Sequence, residues 1–149
     1  MRALIQRAGH ASVSIDGEKV GEIGLGFVIF VGVGAGDDEA AARKLWSKIY
    51  KLRIFPDGAG HATGAALADV GGNALVISQF TLYADCKKGN RPSFGKAGDP
   101  GRAEELYRRF CEIAREDLPE LQTGEFGAHM EVELLNDGPF TIWLDTAEL

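Results

Sequence analysis

The sequence predicts an α+β fold, with a curved sheet or one closed into a β-barrel-like form and two main helices. Three observations carry this reading. Short runs rich in β-branched and aromatic residues recur from end to end, each bounded by turn residues. Only two segments, near residues 37–52 and 99–117, switch to helical periodicity. Glycines at 21, 24, 26, 32, 34 and 36 crowd the ends of one apolar run, as in a sheet that bends. With 149 residues and no internal repeat or linker, the chain reads as a single domain, 1–149, large enough for a real core.

In order, Ala3-Leu4-Ile5 and Val13-Ser14-Ile15 read as strands, and Asp16-Gly17 as a hairpin turn leading to Val20 and Ile23. Phe27 to Val31 is continuously apolar at strand length, which predicts burial on both faces. Gly32-Val33-Gly34-Ala35-Gly36 invites comparison with a phosphate-cradling loop, but no Gly-x4-Gly-Lys-Ser/Thr pattern follows. Asp37 and Asp38 offer an N-cap for a helix running to about Leu52. There Leu45, Ile49 and Leu52 recur on one face, and Arg43, Lys44, Lys48 and Lys51 fall on the other. That basic face is read as solvated in preference to a phosphate contact.

Leu52 to Phe55 reads as a short strand, stopped by Pro56-Asp57-Gly58, and residues 58–72 as a hairpin tip and loop holding a solvated His61. Leu75-Val76-Ile77 is a buried strand. Asp99-Pro100 starts a second helix, with Pro100 at its first position. It reaches about Asp117, buries Ala103, Leu106, Phe110 and Ile113, and sets Glu104/Arg108 and Glu105/Arg109 as surface pairs. From Met130 to Leu135 apolar and acidic residues alternate, as in a strand with one wet face. Asn136-Asp137-Gly138-Pro139 reads as a turn and Phe140 to Leu144 as the last strand.

Charge and composition narrow the functions. A net charge of −6 argues against nucleic-acid binding over the whole surface. It leaves two local basic segments: Arg43 to Arg53, with five cations and no acid, and Lys87 to Lys96, with four cations and no acid. Cys86 and Cys111 show no metal-ligand spacing or disulfide framework, so a reducing cytoplasm is the expected compartment. No signal peptide is expected. Residues 25–35, the longest apolar run, fall short of the roughly 20 residues of a membrane helix, so no membrane partner is expected. His10, His61 and His129 are scattered, and neither a metal site nor a cofactor is expected.

The chemistry concentrates where the Leu75–Ile77 strand ends on Ser78, Gln79 and Thr81, followed by Lys87, Lys88, Arg91 and Lys96. Polar donors fixed by a strand beside cations suit a phosphate-bearing ester. An ordinary polar strand end with a solvated loop is the plainer alternative. No Gly-x-Ser-x-Gly elbow is present and no base lies near in sequence, so a strand-end hydroxyl is a poor nucleophile. The Gly138-Pro139 step could place its carbonyls at an unusual angle, as acceptors for an α-ammonium group. A trans turn is the commoner state of such a bond.

At this point the chain resembles a known family. The run SQFTLYADCKKGNRPSF (78–94) and NDGPFT (136–141) closely resemble the D-aminoacyl-tRNA deacylases. The similarity extends to MRALIQRAGHASVSIDGEKVGEIGLG at the start, LRIF at 52–55, TGEFGAHM at 123–130 and WLDT near the end. The resemblance implies a homodimeric β-barrel-like fold, no cofactor, and hydrolysis of the ester joining a D-amino acid to the 3′ end of tRNA. It also implies a cis Gly138-Pro139 bond that reaches across the interface into the partner's pocket and rejects L-aminoacyl esters. Ser78, Gln79, Phe80 and Thr81 would form the catalytic pocket for the terminal adenosine, with the Phe80 amide near the scissile carbonyl. Thr81 would be either a nucleophile or a pocket residue beside a water activated by the ribose 2′-hydroxyl; the missing base favours the latter. Arg7 would brace the Gly-Pro loop, and Lys87, Lys88 and Arg91 would contact tRNA. Glycyl-tRNA, including glycine mischarged on tRNA-Ala, should also be hydrolysed, since glycine has no side chain to reject. Glu125, His129 and Phe140 depart from the family's commonest residues. The reading of a different class is a module that holds an acceptor end without catalysis.

Overall fold

A computed structural model describes all of residues 1–149. Six strands form one mixed sheet: β1 (Arg2–Ile15), β2 (Glu18–Ile23), β3 (Gly26–Gly32), β4 (Asn73–Ser78), β5 (Gln122–Thr123) and β6 (Glu131–Asp145). Two helices, α1 (Glu39–Tyr50) and α2 (Pro100–Asp117), cover one face. The path runs β2-β1-β3-β4-β5, with β6 on the other side of β1. β4 is parallel to both β3 and β5, and the remaining pairs are antiparallel.

The two expected N-terminal strands are one strand of 14 residues. Its first half pairs with β3 (Arg2 to Ala8) and its second with β2 (Ala11 to Ile15), so β1 bends between two neighbours. The inward parity changes at the bend: Ala3 and Ile5 join the core beneath the helices, whereas Ala8, Ala11 and Val13 join a smaller core on the opposite face. β2 folds over that second core. A Cβ placed on Gly21 would lie 3.2 Å from the Thr123 carbonyl oxygen of β5, so any larger residue would press on β5 at this close approach. The sheet is thereby nearly closed, as the clustered glycines predict.

β3 and β4 alternate between the two cores. Phe27, Ile29, Ala74 and Val76 face the helices; Val28, Leu75 and Ile77 face the second core. Burial on both faces explains why these runs lack polar residues. Asp38 caps α1 by accepting from the Ala41 amide at 2.9 Å, and Asp99 caps α2 from Gly101 and Arg102. Trp46 meets Phe110 edge-on at 6.0 Å between the helices and donates to Asp117 at 2.9 Å.

Several expectations are corrected. Residues 52–55 form no strand, only a single bridge from Phe55 to Ala65. His61 is exposed but not free: its Nδ1 lies 2.7 Å from the Asp57 carboxylate. The Glu104/Arg108 and Glu105/Arg109 pairs do not form. Arg109 turns instead to Glu39 of α1 and to Glu112, where it meets two carboxylates. In the glycine-rich loop the Gly34 amide donates to Asp37 at 2.6 Å, so the chain's own carboxylate takes the place a phosphate would need. The last two strands are one strand of 15 residues with no reversal at residues 136–139. Its pattern of one wet face holds only partly, because Val132 and Leu134 stay half-exposed and Leu135 is 54% exposed.

Candidate active site

Gln6 pairs with Thr141 and Ala8 with Asn136, so residues 137–140 stand opposite Arg7 alone. The four form a bulge, which places Asp137, Gly138 and Pro139 in solvent. The Gly138–Pro139 bond is cis. Gly138 has φ +143°, and a Cβ there would sit 2.8 Å from the Phe140 amide, so no other residue fits without displacing the chain. Two side chains hold the bulge. Asn136 accepts from the Phe140 amide at 2.7 Å and donates to Thr141 at 3.0 Å. Arg7, 8% exposed, donates from Nε to the Asp137 carbonyl at 2.8 Å and from Nη1 to the Ile54 carbonyl at 2.6 Å. Its guanidinium also pairs with the Asp137 carboxylate at 3.2 Å and lies 4.9 Å from the centre of the Phe140 ring. Phe140 thus serves as a lid on Arg7.

The second half of the site lies at the carboxyl end of β4. Val31 of β3 pairs with Ser78 and its carbonyl accepts from the Gln79 amide at 2.8 Å, which fixes the strand end. The chain then enters a 3-10 turn over Phe80–Tyr83, whose first amides have no acceptor inside the turn. Ser78, Gln79 and Phe80 border a cavity of about 450 Å³. Its other walls are Ala97, Gly98, Pro100 and Ala103 at the start of α2, and Phe126 to Met130 with Val132. This is the size of a small-molecule pocket, apolar with a few polar groups at one edge.

Thr81 does not line the cavity. Its exposed hydroxyl accepts from the Gln79 side-chain amide, and no carboxylate, amine or imidazole bonds to it. Phe80, 55% exposed, meets Phe94 edge-on at 4.9 Å. Phe94 thereby pins the basic loop beside the motif. Asp85 and Ser93 close that loop with two backbone bonds of 2.8 and 3.0 Å, and Lys87, Lys88 and Arg91 extend from it, exposed and without an ion pair.

The structure therefore forms two clusters from the expected residues. Ser78, Gln79, Phe80 and the basic loop lie together; Arg7, Gly138 and Pro139 lie together elsewhere. Arg7 pairs with Phe27, Phe27 with Ala74, and Ser78 is four register steps from Ala74, on the order of 13 Å along the strand. Sequence reasoning missed Phe94, Asn136 and the Ile54 carbonyl. It also gave the wall from Phe126 to Met130 no role, although TGEFGAHM had marked that segment as distinctive.

The family model described as D-Tyr-tRNA(Tyr) deacylase matches residues 4–145. The D-aminoacyl-tRNA deacylase of Thermomicrobium roseum is 54% identical over 149 residues, covering 100% of this chain and 96% of that protein. Among solved structures, one described as the c-Myc DNA Unwinding Element Binding Protein superimposes with a TM-score of 0.93 at 36% identity, covering 97% of this chain and 98% of that one. A second, described as a probable eukaryotic D-amino acid tRNA deacylase, has a TM-score of 0.82 at 17% identity over 96% and 97% of the two chains, and so supports the fold. A match over nearly the whole chain, on a frame that carries both motifs, places this protein in the D-aminoacyl-tRNA deacylase family of hydrolases.

Proposed function

We propose that this protein hydrolyses the ester between a D-amino acid and the terminal ribose of tRNA, as a homodimer in which Gly138 and Pro139 of one subunit complete the pocket of the other. The observation that carries the reading is the separation of the two clusters. Gly138 and Pro139 are held rigidly and face solvent, while the pocket beside Ser78 to Phe80 lacks that wall within its own chain. A symmetric pair supplies the missing wall twice, each subunit giving what it receives.

In such a pocket the first amides of the Phe80 turn face the ester and would stabilise charge on its carbonyl oxygen. Gly138 and Pro139 present carbonyls that accept from the substrate's α-ammonium. With the ammonium and ester fixed, one of the two remaining positions on Cα points into backbone, so an L side chain is refused by contact. Glycine has no side chain to refuse, which extends the reading to glycyl-tRNA, including glycine mischarged on tRNA-Ala. Thr81 lies outside the cavity without a base. This favours attack by water assisted by the ribose 2′-hydroxyl. Lys87, Lys88 and Arg91 would meet phosphates close to the 3′ end, in the cytoplasm where charged tRNA is used.

The test compares D-tyrosyl- and L-tyrosyl-tRNA, then glycyl- and L-alanyl-tRNA, with the wild-type protein. We expect loss of the D-tyrosyl and glycyl esters and survival of both L esters. Survival of all four would sink the enzyme reading. A second reading, a nucleic-acid-binding module, is favoured by the solved neighbour whose name specifies DNA binding. Tight binding of tRNA or duplex DNA without hydrolysis of any ester would support it.

A further inference from the structure

We infer that the basic end of α1, together with Arg53, is a phosphate clamp for the tRNA acceptor stem whose 3′ end occupies the partner subunit's pocket. The inference rests on the cross-subunit reading above. Lys44, Lys48 and Lys51 recur at i, i+4 and i+7, which puts them on one exposed stripe. With Arg53 they line a groove of about 830 Å³ in which Glu148 is the only acidic side chain. Helix stability does not explain this stripe, since like charges at i, i+4 repel.

The charges are also largely unspent. Arg43, on the neighbouring stripe, is paired with Glu39 and Glu116. Lys48 and Lys51 make no ion pair and no side-chain hydrogen bond. Lys44 reaches main-chain oxygens of Thr146 and Leu149, and Arg53 reaches the Gly64 carbonyl. In a chain of net charge −6, a groove with four cations and one acidic side chain selects a polyanion and does so in one place.

Its position selects which polyanion. Ile54 follows Arg53 directly, and its carbonyl accepts from Arg7 at 2.6 Å; the same guanidinium donates to Asp137 at 2.8 Å. One buried side chain thus fastens the segment that follows α1, next to Arg53, to the Gly-Pro bulge of the same chain. If the bulge enters the partner's pocket, the groove lies beside that pocket. The partner's own basic loop flanks the same pocket from the other subunit. Two cation groups carried by different chains suit an RNA duplex with a phosphate strand on each side.

Mixed dimers test this. One chain carries Ala128→Trp, which fills its pocket; Lys48→Ala/Lys51→Ala is placed either in that same chain or in the other. Because the surviving pocket receives the blocked chain's groove, we expect weaker D-aminoacyl-tRNA binding only when all three substitutions share a chain. Loss of two phosphate contacts should reduce the fall in affinity between 50 and 200 mM salt by roughly tenfold. Turnover of D-aminoacyl-adenosine, which lacks the stem, should not change. Weakening only when the lysine changes sit opposite the blocked chain would overturn the trans assignment, as would a monomeric protein. No effect in either arrangement would overturn the clamp itself. If Ala128→Trp does not fold, Ala97→Phe blocks the same cavity. Should the wild type hydrolyse no ester, the enzyme reading fails separately, and affinity for uncharged tRNA still reports on the lysines.

Discussion

The guanidinium of Arg7 is accommodated at 8% exposure by two carbonyls, one carboxylate and one ring. Arg7→Ala would strand the carbonyls of Ile54 and Asp137. We expect a stability loss of about 2 kcal/mol by urea unfolding, from charged hydrogen bonds of about 1.5–3 kcal/mol each offset by water entry at the bulge. Deacylation should fall further than stability does. Arg7→Lys should restore neither, since a single ammonium cannot span both acceptors. By contrast Thr81→Ala should keep kcat within about tenfold of wild type, because no general base is there to be lost, a contribution typically worth about 10²–10⁴-fold. Collapse of single-turnover rates in folded Thr81→Ala would restore the nucleophile. His129→Ala separates another possibility, as His129 is the only imidazole on the cavity wall. Unchanged kcat in that variant from pH 6 to 8 is expected. The cysteines differ in the same physical way: burial pushes the Cys111 thiol up to about 11, so it stays protonated at pH 8, whereas Cys86 is exposed. A thiol reagent at pH 8 should modify Cys86 alone, and Cys111 should react only as the pH nears its raised value or the chain unfolds.

Among the elements, α2 joins stability to the site, since its first turn supplies Pro100 and Ala103 to the cavity wall. Asp99→Ala removes the cap on the Gly101 and Arg102 amides and should cost about 1 kcal/mol. Fraying of that turn should also raise KM for D-aminoacyl-tRNA; an unchanged KM with lowered stability would detach α2 from the pocket. β6 was legible in its two halves and illegible as one strand. Asn136-Asp137-Gly138-Pro139 has the composition of a reversal, and only the long partner β1, continuing past Arg7, turns it into a bulge. The same holds for residues 52–55, apolar enough for a strand but paired only through the single bridge from Phe55 to Ala65.

For the whole molecule, the outer side of β6 is unfinished. Leu135 and Trp143 are 54% and 44% exposed on a strand paired only with β1, whereas Val132 and Leu134 lean onto the second core and Ile142 onto the core beneath the helices. Scattered apolar residues are ordinary on a surface, but two large ones on a strand with an open edge suit the second copy that the proposed shared pocket requires. We expect sedimentation equilibrium to give twice the 16.0 kDa of the chain. Leu135→Glu with Trp143→Glu should give a folded monomer without deacylase activity. An active monomer would refute the shared pocket.

The sequence by itself determined the α+β class, both helices with their caps, the buried β3 and β4, the basic loop and the motifs that identify the family. These features are local: periodicity, cap chemistry and contiguous motifs depend on neighbours in the chain. Tertiary structure alone decided that Arg7 ties Ile54 to Asp137, that Asp37 fills the glycine-rich loop, that Arg109 reaches across to Glu39, and that Ser78 and Gly138 lie apart within one chain. Each joins residues distant in sequence. Which partner a donor or charge finds depends on sheet register and helix placement, and those are set by how the whole core closes.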